Sequence, residues 1–110
     1  METVVGQVNE EHLQQLIDRI VEAVHPLRII MFGSAVRGEM GPDSDVDLLV
    51  VMPEGTHNID AMRYIHRRLF GIPLAADVLV TTPSALEKHR DNIGLIYHSI
   101  LEEGQEVYAA

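Results

Sequence analysis

The chain has 110 residues, enough for one compact core and too few for two ordinary domains, so a single domain over 1–110 is expected. Hydrophobic residues make up 46%, which excludes a disordered chain, and no apolar run approaches the roughly 20 residues needed to cross a bilayer. Eight Lys and Arg against 17 Asp and Glu leave a formal charge of −9, so direct nucleic-acid binding is not expected, and phosphate handling would need metal ions or a basic partner in between.

In chain order, Leu13, Leu16, Ile17, Ile20, Val21 and Val24 recur at i, i+3, i+4, i+7 and predict an amphipathic helix from Asn9 to Val24. Asn9 suits its cap, Glu10 and Glu11 suit the positive end of its dipole, and Pro26 stops it. "LRIIMF" (27–32) reads as a strand. Residues 34–44, with Gly38, Gly41 and Pro42, read as a short helical turn and then a loop. "DVDLLVVM" (45–52) is a second strand whose last five residues are all apolar, as in a strand buried on both faces. Ile59, Met62, Ile65 and Leu69 mark a second helix, and "AADVLVT" (75–81) a third strand. Thr82 before Pro83 is a helix start, with helices expected over 83–91 and 95–103, broken near "DNIG". Gly104 ends the last helix, and "EVYA" can add a small strand. The fold expected is α/β (α+β), with helices covering a mixed sheet of three to four strands.

Asp45 and Asp47 begin a strand that otherwise asks for burial. Two apart, they point to one side, and Val46 points to the other. Two carboxylates on one face repel unless a positive charge lies between them, and Mg²⁺ suits such a pair. Asp77 interrupts the third strand in the same way. If the strands are neighbours it stands beside Asp47, and three acids make a two-metal site with ions roughly 4 Å apart. The alternative for each acid alone is a turn cap or a solvated strand end; the three together favour a site.

Gly33 and Ser34 directly follow the first strand. Glycine permits a close approach of ligand to main chain, and a helix start at Ser34 offers free N–H groups to an anion. Arg37, one turn on, either touches phosphate or pairs with an aspartate and holds the loop; the structural role is weighted slightly higher. Gly38 would end the turn in a left-handed conformation.

Read together, "GSAVRGEMGPDSDVDLLV" resembles the nucleotidyltransferase superfamily named after DNA polymerase β. The motif falls on Gly33, Ser34, Arg37, Gly38, Ser44, Asp45, Asp47, Leu48 and Asp77, and the likeness runs from about Ile29 to the "EEGQEVY" end. The shortness of the chain is similar to the minimal nucleotidyltransferases. The resemblance implies a polymerase β-like core that moves AMP from ATP with release of pyrophosphate. It implies Asp45, Asp47 and Asp77 as catalytic and Mg²⁺-binding residues, and Gly33, Ser34, Arg37 and Ser44 on the nucleotide. Many minimal members resemble the antitoxin of HEPN–MNT toxin–antitoxin modules, which implies a HEPN ribonuclease as partner, modified on a tyrosine. Two other readings stand beside this one: an antitoxin that neutralises its toxin by contact alone, and a transferase acting on a small molecule such as an aminoglycoside.

The remaining signals are weaker. There is no cysteine and no visible secretory signal in "METVVGQVNEE", so a cytoplasmic protein is expected. "RYIHRR" (63–68) is the one basic patch; it reads as a solvated helix face, with an acidic partner or ATP phosphates as alternatives. The six histidines show no paired metal spacing. Ile93, Ile96, Ile100 and Leu101 read as a core stripe.

Overall fold

The computed structural model describes residues 8–39, 45–89 and 96–110. The loop at Gly41 and Pro42, Ser44 and the expected helix break near "DNIG" lie outside the described residues.

Helix α1 (Glu10–Val24) begins where Asn9 accepts a hydrogen bond from the His12 N–H at 3.0 Å. It buries Leu16, Ile17 and Ile20, the centre of the expected stripe. Strand β1 (Arg28–Phe32) leads into a single short turn, α2 (Ser34–Arg37). Strand β2 (Val46–Val51) is followed by α3 (Asn58–Arg68), β3 (Ala76–Thr81), α4 (Pro83–His89), α5 (Ile96–Glu103) and β4 (Gln105–Ala109). The "EVYA" segment is therefore a full edge strand.

The sheet order is β3-β2-β1-β4. Pairs β1–β2 and β1–β4 are antiparallel, and β2–β3 is parallel, so the sheet is mixed. The apolar run of β2 from Leu48 onward is explained by its place. Leu48, Leu49, Val50, Val51 and Met52 are all buried, because helices cover both faces. On one face Ile29, Met31, Val46, Leu48, Val50 and Val78 pack under α1 and α3 through Ile17, Ile20 and Ile65. On the other, Ile30, Phe32, Leu49 and Val51 pack with Leu86 of α4 and Ile100 of α5. Stripping about 25 cal/mol from water per Å² of such apolar surface is what drives this closure.

One core expectation fails. Ile59 is 60% exposed, and the α3 stripe is carried by Ile65 with the half-buried Met62 and Leu69. Six residues turn a helix by about 600°, which leaves Ile59 about 120° from Ile65 and off the packed face.

Candidate active site

The site lies where β1 ends, β2 begins and β3 runs alongside. Register pairs Phe32 with Asp47 across β1–β2, and Asp47 with Asp77 across the parallel β2–β3 pair. The strands expected to be neighbours are neighbours, and the two aspartates stand directly abreast. Strands in a sheet are about 4.8 Å apart, so both carboxylates leave the same face at one level. Asp45 is one pleat earlier on that face, and Val46 between them is fully buried on the opposite side. This is the face covered by α4 and α5, here at its open end.

The acids sense one another. Burial raises the Asp47 pKa above the ordinary carboxylate range, the charges of Asp77 and then Asp45 raise it further, and Arg37 pulls it back down. Among the described residues no three His, Asp or Glu side chains already converge as a metal-ligand set. The raised cost of ionising Asp47 is what a divalent ion would relieve. Hard oxygen donors with room for water and phosphate fit Mg²⁺.

Gly33 closes the other side. Its backbone sits at φ 77°, ψ −151°, a region open to glycine alone. A Cβ added there would collide with Oδ2 of Asp47, so the main chain lies against the carboxylate. Ser34 then opens α2, whose Val36 and Arg37 N–H groups donate to the Gly33 carbonyl at 3.1 and 3.3 Å. Gly38 ends the turn at φ 71°, ψ 27°, the left-handed cap expected.

Among the described residues the Arg37 guanidinium pairs with glutamates: Nε donates to Glu39 Oε1 at 3.0 Å, and Nη1 lies 3.6 Å from Glu103 Oε1. The carboxylates at the strand starts are held by backbone geometry, whereas Glu39 is two residues away and Glu103 sits at the end of α5, within easy reach. Half-exposed, Arg37 ties α2 to α5 while keeping its charge near Asp47. Glu39 and Glu103 were missed because neither interrupts an apolar pattern; Glu103 is distant in sequence and only the tertiary fold brings it in.

A cavity of about 400 Å³, lined by Leu27, Arg28, Val51, Pro83, Leu86 and Leu101, lies at the other end of the strands and holds none of these acids. At the carboxylate end Asp45 and Asp77 are exposed and Asp47 is half-buried.

The fold agrees with known proteins. A protein from Sulfolobus solfataricus assigned as a nucleotidyltransferase superposes with a TM-score of 0.60 at 20% identity, over 90% of this chain and 78% of that one. A mutant of the MntA-HpeT toxin-antitoxin pair gives 0.56 at 21% identity, over 94% of this chain and 75% of that one. A toxin-antitoxin structure with AMP-PNP gives 0.53 at 19% identity, with the same 94% and 75% coverage. No curated protein sequence matches significantly. The model of the nucleotidyltransferase domain matches residues 13–108, nearly the whole chain and all three aspartates. With that match over a mixed sheet whose Asp47 and Asp77 stand abreast, the chain belongs to the nucleotidyltransferase domain family.

Proposed function

We propose that the chain is a Mg²⁺-dependent nucleotidyltransferase that moves AMP from ATP to a protein acceptor, a tyrosine of a HEPN-type toxin, and so acts as a cytoplasmic antitoxin. The observation that carries the reading is the pairing of Asp47 with Asp77, with Asp45 on the same face and Gly33 packed against Asp47. Likeness of fold to two toxin-antitoxin structures, one with AMP-PNP, supports the choice of nucleotide and partner.

Asp45, Asp47 and Asp77 would hold two Mg²⁺ ions. When bound, the metal neutralises triphosphate charge and eases deprotonation of the acceptor hydroxyl. With Asp77 accepting the hydroxyl proton, the acceptor oxygen attacks the α-phosphorus, the bond to the oxygen bridging to the β-phosphate breaks, and pyrophosphate leaves with the electron pair. On this reading Gly33 and Ser34, at the start of α2, meet the phosphates, and Ser44 is the further nucleotide-binding residue that the motif implies. Arg37, fixed by Glu39 and Glu103, keeps positive charge beside the triphosphate. Phosphoryl-group chemistry asks a protein for little beyond position and charge.

Mass spectrometry of a toxin co-expressed with the chain tests this. The toxin should gain one AMP on a tyrosine, and should lack it beside the Asp45→Ala, Asp47→Ala double variant. An unmodified toxin held inactive by both forms would favour the antitoxin that works by contact alone.

A further inference from the structure

The function above leaves the arginines of α3 unused. Arg63, Arg67 and Arg68 are exposed, and none pairs with a carboxylate among the described residues. Two of them lie by Tyr64: the Arg67 and Arg68 guanidinium carbons lie 6.0 and 5.6 Å from its ring centroid, and Arg68 Nη1 donates to the Tyr64 hydroxyl at 2.9 Å. In a chain of charge −9 this is unusual, for Arg28 and Arg37 have each found glutamates. The same face carries two large exposed apolar side chains, Ile59 at 60% and Phe70, just past the helix, at 89%. Arginine with exposed aromatic anchors is the composition of a protein interface.

The complementary surface lies beside it. On α1, Glu11, Asp18 and Glu22 are exposed and spaced by seven and four residues, which places them on one outward stripe. Helices α1 and α3 pack side by side over one sheet face, where Arg19 Nη1 donates to the Arg68 carbonyl at 2.7 Å. An acidic stripe on α1 and the arginines of α3, with the exposed Asp60 one turn before Arg63, thus lie on neighbouring helices.

We propose that this layer binds a second copy of the chain, with α3 of each copy seated on α1 of the other. A twofold axis along the groove between the helices brings the two opposite charges together twice, a closed and self-complementary contact. Ile59 and Phe70 are covered in it. The carboxylates lie on the opposite face of the sheet, so both candidate active sites stay open and the association is independent of the transfer reaction.

Light scattering on the full chain at low salt should give twice the 12.3 kDa mass, and added salt should weaken the dimer at least about tenfold. Arg63→Glu with Arg67→Glu should give a folded monomer by circular dichroism. Adding Asp18→Lys and Glu22→Lys to that same chain should restore the dimer, and Phe70→Ala alone should weaken it. A wild-type monomer up to roughly 100 μM overturns the proposal. So does a dimer indifferent to the reversed charges, or a folded quadruple variant that stays monomeric.

Discussion

Asp47 concentrates the electrostatics of the site. Its pKa is raised first by burial and then by Asp77 and Asp45, so the folded state holds its proton more tightly than the unfolded chain does. The sign follows: the metal-free fold is favoured at acid pH and loses that contribution as pH rises through the raised pKa of Asp47. At neutral pH, without divalent metal, Asp47→Asn should therefore melt higher than the wild type while transferring no AMP. Thermal melts in a chelator check the first part; a lower Tm would show that Asp47 is not strained by its neighbours. Metal must displace the same proton, so the Mg²⁺ requirement should steepen as pH falls. Gly33→Ala is a second residue-scale test. A side chain at φ 77° and ψ −151° costs about 1–3 kcal/mol and also strikes the Asp47 carboxylate. Denaturant melts should show that loss, and AMP transfer should fall with it.

At the scale of elements, β2 does two things. Its first residues hold acids at an open sheet end, and the rest is the most buried strand of the molecule. Leu48→Ala should cost about 2–5 kcal/mol in urea unfolding, because Leu48 is fully buried between α1 and β2's neighbours. The buried run was legible in the sequence from five consecutive apolar residues, whereas the acids pointed to a site only when Asp77 was taken with Asp45 and Asp47. The helices were legible as well, from caps such as Asn9 and Thr82. Thr82 Oγ1 accepts from the Ala85 N–H at 3.5 Å, and Glu54 adds an unforeseen cap by accepting from the Ser84 N–H at 2.7 Å. What could not be read was set by long-range packing. The sheet order β3-β2-β1-β4 depends on crossovers, and the partners of Arg37 depend on where α5 ends. Ile59 misled because an apolar residue near the helical period need not lie on the buried arc.

At the scale of the molecule, the proposed function asks a chain of charge −9 to gather triphosphate beside three carboxylates. Without cations this surface repels the substrate, so divalent metal must bind with the nucleotide or before it. Saturating Mg²⁺ with a non-hydrolysable ATP analogue should raise the Tm of the wild type by ligand linkage and leave the Asp45→Ala, Asp47→Ala variant unmoved. An equal rise in both would place the nucleotide elsewhere. Among the described residues no helix is long and apolar enough to cross a membrane. The chain also covers 75–78% of the length of each structure it resembles.

The most direct measurement follows the phosphorus atoms. The chain is incubated with Mg²⁺, a toxin partner and ATP labelled at either the α- or the γ-phosphorus. Label from the α-position alone should appear on the partner, with pyrophosphate released, and should fall by at least about a hundredfold in the Asp45→Ala, Asp47→Ala variant. Label arriving from the γ-position, or undiminished transfer by the double variant, would contradict nucleotidyl transfer at these three aspartates.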